Sequence, residues 1–449
     1  MSEVRNKIDM VHGPLLKNMI HFSIPLMVSS CLQMLFNTAD TIIVGKFSGQ
    51  EALAAVGATG SLIFFMIAIF NGLSIGANVV IAHMIGRKEK ASIHDAVHTS
   101  YFLAICGGLF ITVAGFFVAK PLLNLVGTPE NIIHLSVLYM RIYFIGMIFM
   151  MVYNFGAAIL RSDGDTKRST LYLAISGVLN VFLNILFVVG FEMGVAGVAI
   201  ATAISQGVAA SLVTRYLMKD TSVKHLNLKE IKLHNEIAKQ MIKIGVPAGL
   251  QGMLFSISNI VVQSGVNSFG SAAVAGNSAA VTIEGYVYIG TDAFIQAVIT
   301  FTSQNVGARH FGNIKKILLT GMWLTILSGF LVGFFEWVNG DYLLSLFTND
   351  RAVIDAGKYR LQWVCLFLFL NGWLDVFVGS MRGMGYSSLP TIVTLTLICG
   401  LRLVYLWVYF PQNHTLSTLY LCFPISWIVT LIAQALLWVY CYRKLLKYA

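Results

Sequence analysis

Charge is scarce in this chain. Aspartate, glutamate, lysine and arginine make up 11% of its 449 residues, where a soluble domain carries about 25%. That excludes an ordinary soluble globular protein. Cysteine is scarce as well. All six (Cys31, Cys106, Cys365, Cys399, Cys422, Cys441) fall within apolar runs, with no CxxC and no Cys/His spacing that suggests a metal. They read as small core residues, and a disulfide framework is not expected. Enzyme motifs are missing too. There is no P-loop, so ATP does not drive the protein directly, and neither HExxH nor GxSxG occurs. The N-terminal segment lacks a short apolar core followed by a small-residue cleavage site. No signal peptide is expected to be removed.

What the chain has is apolar length. Hydrophobic residues make up 57% of it, and an α-helical span needs about 20 consecutive apolar residues. About twelve such runs recur, at 17–44, 53–82, 95–118, 132–160, 169–190, 194–217, 243–267, 272–305, 317–338, 352–381, 388–410 and 416–441. The expected fold is an all-α polytopic membrane protein of twelve transmembrane helices. The net charge of +10 is a topology signal rather than a nucleic-acid footprint. Of the 30 lysines and arginines, 23 fall on the side of the chain that includes both ends and the central joint. Positive residues favour the cytoplasmic side, so both termini are expected there, in a multi-pass plasma (inner) membrane protein.

The sequence repeats itself. Leu160-Arg-Ser-Asp-Gly164 returns as Met381-Arg-Gly-Met-Gly385, with 382 − 161 = 221 between the two arginines. The same offset maps Gly86 onto Gly307, while Pro25 and Pro247 differ by 222. Each half therefore holds six helices, and six being even, the halves are parallel repeats about an axis along the membrane normal. The lobes are set at 1–218 and 244–449, with 219–243 as a cytoplasmic linker. That basic joint reads either as an amphipathic helix on the membrane surface or as a solvated linker.

A few polar residues interrupt the spans. Asp40 lies in Phe22–Gly45, with Asn37 one turn before it. A carboxylate in an apolar span marks an ion or substrate path, or sits at a helix end among the headgroups. Asn180 and Asn184 are spaced i, i+4 and share a face, and Thr202 lies on the next span. One carboxylate with amide and hydroxyl oxygens suits a hard monovalent cation such as Na⁺, or an acid that binds and releases a proton. Helix-to-helix hydrogen bonding is the alternative, and it is the preferred reading for Asn71 and Asn78. Tyr139 and Asn154 are further cavity candidates. The second half carries Glu284, Asp292, Arg360, Asp375 and Arg402. Glu284 and Asp292, eight residues apart, can face one side. These acids either pair with the arginines or serve coupling or substrate binding.

Several motifs carry a resemblance. Asp40-Thr-Ile-Ile-Val-Gly-Lys-Phe-Ser-Gly and Leu160-Arg-Ser-Asp-Gly-Asp-Thr-Lys-Arg, the latter followed by the Asn180…Asn184 helix, resemble signatures of the multidrug and toxic compound extrusion (MATE) transporters. So do Thr302-Ser-Gln-Asn-Val-Gly-Ala-Arg and Met381-Arg-Gly-Met-Gly-Tyr. The resemblance covers essentially the whole chain and lies closer to the DNA-damage-inducible (DinF-like) branch. It implies two six-helix lobes that export drugs and other organic cations in exchange for Na⁺ or H⁺. It also implies a first-lobe cation site at Asp40, Asn180 and Thr202. Where the family often has a second acid, this chain has Asn184, and Phe255 stands where some members carry a seventh-helix glutamate. Glu284 and Asp375 would then supply the second-lobe acids.

The expected protein is thus an antiporter and not an enzyme. It needs no cofactor beyond its coupling ion, and its partners are membrane lipids and small amphipathic cations. No nucleic acid is expected, and it should be a monomer. The rivals are a lipid-linked precursor flippase of the same superfamily, a major-facilitator-type transporter, and a membrane protein with no transport role. Adaptable methionine and aromatic side chains favour a promiscuous cavity.

Overall fold

A bilayer core offers no water to free N–H and C=O groups, so a chain this apolar must satisfy them within helices. The computed structural model describes residues 8–447, and among these the regular elements are all helical. Arg5 and Lys7, counted above among the basic residues of one side, lie outside them. The helices are α1 (Leu15–Phe47), α2 (Gly49–Arg87), α3 (Lys90–Leu125), α4 (Glu130–Ile145), α5 (Met147–Ser162), α6 (Thr166–Asn184), α7 (Gly194–Lys219) and α8 (Asn235–Asn267). They continue with α9 (Ser271–Gly307), α10 (Phe311–Val338), α11 (Gly340–Ser345), α12 (Arg351–Arg360), α13 (Leu368–Gly383), α14 (Ser388–Thr394), α15 (Gly400–Val408) and α16 (Leu416–Lys447). Three π-helical turns, Ile185–Gly190, Leu361–Cys365 and Leu395–Cys399, continue α6, α12 and α14.

Among the described residues, ten helices are long and apolar enough to cross a membrane, and α4 with α5, bent by 45°, makes an eleventh. The twelfth element is α9, 37 residues long, whose Ser278, Thr282, Glu284 and Asp292 interrupt its apolar run.

The repeat is written into the backbone. Left-handed φ values recur 221 residues apart: Gly49 (87°) with Gly270 (87°), Lys88 (60°) with Arg309 (58°), and Gly164 (83°) with Gly385 (90°). An L side chain in that region costs about 1–2 kcal/mol, so Lys88 and Arg309 are telling. At Lys88 the chain ends α2 with its N–H on the Ile85 carbonyl at 3.0 Å, a left-handed helix cap. The 16 residues of α5 also map onto the 16 of α13 (147 + 221 = 368, 162 + 221 = 383).

The chain divides into two compact units, one containing Ile24–Gly249 and the other Met10–Ser23 with Leu250–Ala449. The division falls inside α8, beyond the joint at 219–243. No amphipathic helix forms in that joint. A short 3₁₀ turn, Leu228–Glu230, is its regular element, and α8 already starts at Asn235. The reason is local: Lys224 is drawn in to Asp163 (2.7 Å) and Asp220 (3.6 Å). Leu226 is buried, and the His98 ring accepts the Asn227 N–H at 3.0 Å. The cysteines also differ from expectation, since Cys31 and Cys106 are exposed.

Within the first unit α2 approaches the start of α8 through glycine. A Cβ on Gly72 would stand 2.3 Å from the Gly249 nitrogen and 2.4 Å from the Gly245 carbonyl oxygen. Gly60 on the same helix has nothing within 4 Å. We therefore expect Gly72→Ala to lower the melting temperature of the purified protein in detergent, by an overpacking cost of about 1–3 kcal/mol. Gly60→Ala should leave it unchanged or raise it, since alanine favours a helix by up to about 1 kcal/mol. Equal melting of the two variants would mean that the close approach does not constrain the fold.

Candidate functional site

The first-unit residues singled out in the sequence converge. Asp40 lies in the last third of α1, half-buried. Asn184 closes α6 where the π turn begins, and it is fully buried; such π turns are frequent at functional sites. The Asn184 side-chain amide donates to Asp40 Oδ1 in a short contact and to Asn180 Oδ1 at 3.2 Å. Asn180 donates in turn to Thr202 Oγ1 on α7 at 3.4 Å, and Thr202 donates to the Val198 carbonyl at 2.9 Å. Three helices thus contribute to one chain of hydrogen bonds ending on one carboxylate.

The oxygen of Asn184 has no hydrogen-bond partner although it is buried. Leaving a buried acceptor unsatisfied costs about 1–3 kcal/mol. An orphaned amide oxygen beside a carboxylate, an amide oxygen and a hydroxyl is a donor set that fits a hard cation. The amide N–H of Asn184 meets the Asp40 oxygen that such a cation, or a proton, would approach.

Other first-half candidates are not hydrogen-bonded into this group. Asn37 is exposed on α1. Tyr139 is buried on α4 with its ring 5.9 Å from that of Tyr143. Asn154 donates to Asn71 Oδ1 across α5 and α2 at 3.0 Å, and Asn78 donates to the Ala158 carbonyl at 3.1 Å. These two are helix-to-helix bonds, as read for Asn71 and Asn78.

The second-unit candidates divide into two groups. Glu284 on α9 is buried and pairs with Arg360 through Oε2, which accepts from Nε at 2.8 Å and lies 2.7 Å from Nη2. Arg360 also donates to Asn277 Oδ1 at 3.1 Å, which takes a second bond from the Tyr420 hydroxyl at 2.9 Å. Asp375 accepts from Asn371 Nδ2 at 2.9 Å, one turn earlier on α13. Asp292, eight residues further along α9, is exposed. Eight residues at about 100° each leave the two side chains roughly 80° apart around the helix. Arg402, expected to neutralise an acid, meets Ser426 and Asn259 instead.

Sequence reasoning missed several residues. Glu336 on α10 is buried, and its run Gly333-Phe-Phe-Glu336-Trp-Val carries the signal that singled out Asp40. Asn277 and Tyr420 left no comparable mark. His94 and His98, at i, i+4, come together with Glu230, their ligand-type atoms within 4.8 Å of one another. The expectation weighed CxxC and Cys/His spacing and did not consider this histidine pair. Both nitrogens of His98 are engaged, with the His94 carbonyl at 2.8 Å and the Asn227 N–H at 3.0 Å, which ties the joint to α3.

Known proteins resemble this chain from end to end. The MatE family matches twice, at residues 25–186 and 247–408, and the two starts are 222 apart, as the prolines are. The probable multidrug resistance protein YpnP of Bacillus subtilis (strain 168) is 30% identical over 392 residues, 87% of each chain. The probable multidrug resistance protein YoeA of the same strain is 29% identical over 429 residues, 90% of this chain and 92% of that one. In fold, a MOP superfamily transporter from Pyrococcus furiosus Vc1 (DSM3638) superposes with a TM-score of 0.91 at 23% identity, over 98% of each chain. A MATE crystal structure in the bent conformation gives 0.89 at 23% identity, also over 98% of each.

The Glu284–Arg360 pair yields a stability prediction. Removing one member of a buried pair leaves an uncompensated charge, costing about 3–5 kcal/mol. Arg360→Met should therefore lower the melting temperature markedly, and adding Glu284→Gln should restore most of the loss. Additive losses in the double variant would show that the two do not act as a pair.

Proposed function

The chain belongs to the MATE family, whose members are membrane transporters and not enzymes, and from that premise we propose that it exports amphipathic organic cations in exchange for H⁺ or Na⁺. The observation that carries this reading is the hydrogen-bonded group of Asp40, Asn184, Asn180 and Thr202. A lone carboxylate of this kind serves one cation at a time. Two unit positive charges about 4 Å apart repel by roughly 4 kcal/mol at an effective dielectric of about 20. That is nearly a thousandfold in affinity. Loading Asp40 with a proton or Na⁺ therefore expels an organic cation, and discharging it readmits one. Asn184 holds the discharged carboxylate in place through its amide N–H, and its oxygen is available to a bound ion. The similarity to YpnP and YoeA, both probable multidrug resistance proteins, supports a drug-like cargo.

Asp40→Asn keeps the shape and removes the charge. In proteoliposomes with H⁺ and Na⁺ gradients imposed separately, that variant should export ethidium at near-background rate. Asn71→Ala should retain most of the wild-type rate. Asn184→Asp should increase dependence on Na⁺ by adding a second negative charge. Wild-type export by Asp40→Asn under the same gradient would remove Asp40 from the coupling role.

The orientation in this proposal has both termini and the joint at the cytoplasmic face. Single cysteines at Lys229 and at the exposed Asn413, in a cysteine-free background, should react with an impermeant thiol reagent from opposite sides. Reaction of both from outside would reject the orientation.

A further inference from the structure

Where α3 meets the joint, the first unit carries a side-chain cluster that the proposed exchange does not use. A cavity of about 260 Å³ there is lined by His94, Asp95, His98, Lys229, Glu230 and Lys232, among others. A water molecule takes up about 30 Å³ of the liquid, so the space admits an ion with several waters. One ligand-type atom from each of His94, His98 and Glu230 lies within 4.8 Å of the other two. His94 and His98 stand i, i+4 on α3, the spacing at which two histidines on one helical face bind zinc. Their ring centres are 4.1 Å apart.

The ring nitrogens are sorted by their neighbours. His98 Nδ1 is 2.8 Å from the His94 carbonyl oxygen, which makes it the N–H donor. Its Nε2 therefore carries the lone pair, and in this structure it accepts the Asn227 N–H at 3.0 Å. His94 turns Nδ1 toward Asp95 Oδ1 at 3.7 Å and Nε2 toward Glu230 Oε2 at 3.1 Å. Metal-binding histidines almost always give their other N–H to a carbonyl or carboxylate, which fixes the tautomer and the ring. Glu230 is held likewise: its Oε1 accepts from the Asn227 side-chain amide in a short contact, which leaves Oε2 to face the histidine. Ligands about 2.0–2.2 Å from a tetrahedral zinc stand roughly 3.4 Å from one another, so His94 and Glu230 are already near coordinating separation.

We propose that His94, His98 and Glu230 bind a divalent transition metal of the zinc class, with water completing the coordination. Two imidazoles and a carboxylate suit Zn²⁺ or Co²⁺, whereas Mg²⁺ prefers oxygen ligands throughout. Lys229 and Lys232 are matched in formal charge by Asp95 and Glu230, so the cavity carries no positive excess against the ion. His94 is 37% and Glu230 52% exposed at the side chain, which opens the site to water. On binding, the ion takes the His98 Nε2 lone pair from the Asn227 N–H. Glu230 ends the 3₁₀ turn between α7 and α8, so the ion replaces that hydrogen bond as the tie between the joint and α3.

The test uses the full-length protein in detergent, free of any affinity tag and stripped with EDTA, and it needs no transport. Zn²⁺, Co²⁺ and Mg²⁺ are titrated by calorimetry, with the melting temperature and the visible absorption of bound Co²⁺ as further readouts. Zn²⁺ should bind as a single ion per chain and raise the melting temperature, Co²⁺ should bind with visible bands, and Mg²⁺ should not bind. His94→Gln and Glu230→Gln alter side chains that are partly exposed. Each should weaken Zn²⁺ by more than about tenfold, the lower end of what losing an outer partner of a metal ligand costs. His225→Gln, at an exposed position of the same joint, should leave the affinity unchanged. Zn²⁺ affinity that is unchanged in either of the first two variants would overturn the ligand assignment. Equal binding of Mg²⁺ would overturn the metal class, and no Zn²⁺ binding at all would reduce the cluster to a hydrogen-bonded tie.

Discussion

Hydrocarbon solvates neither backbone nor charge, and that one constraint orders this protein. Every span closes its own backbone hydrogen bonds as a helix, which leaves only side chains to carry chemistry. Each ionisable side chain in a span must then find a partner. Arg360 finds Glu284, Asp375 finds Asn371, and Asp40 finds Asn184. The cost of an unpartnered group is what makes the exceptions informative: the amide oxygen of Asn184 and the guanidinium of Arg402 each sit in a buried place with bonding capacity left over.

Much of the fold was legible because the bilayer imposes long one-dimensional signals. Apolar runs located the spans, and the 221-residue offset located the repeat, which the paired left-handed residues Lys88 and Arg309 bear out. The convergence of Asp40, Asn180, Asn184 and Thr202 was legible in two parts. The i, i+4 spacing put the asparagines on one face, while the meeting of α1, α6 and α7 came through the family resemblance. What failed was reasoning about depth and about local competition. Glu284 is buried and Asp292 exposed although both lie on α9, a difference in depth that spacing alone does not reveal. The joint did not become a surface helix because Asp163 and Asp220 captured Lys224, a pairing between residues that periodicity does not weigh. Asn277 and Tyr420 were invisible because neutral polar residues in a span become conspicuous only when an arginine is seen to lean on them.

The two halves keep one frame and fill it with different chemistry. Asn71 and Asn154 form a neutral amide bond between α2 and α5; their counterparts Asp292 and Asp375 are both acids (292 − 71 = 221, 375 − 154 = 221). Where the first half has Tyr139 and Thr202, the second has Arg360 and Phe423 (360 − 139 = 221, 423 − 202 = 221). The frame tolerates this because its geometry is held elsewhere, by the left-handed turns at helix ends and by close glycine contacts such as Gly383 against Thr302 and Ile299. Those contacts leave no room for a Cβ, so they resist change in either half, whereas the polar positions sit in space that several side chains can fill. A duplicated bundle whose architecture depends on one residue set and whose electrostatics depend on another can change the polar chemistry of one half without losing its fold.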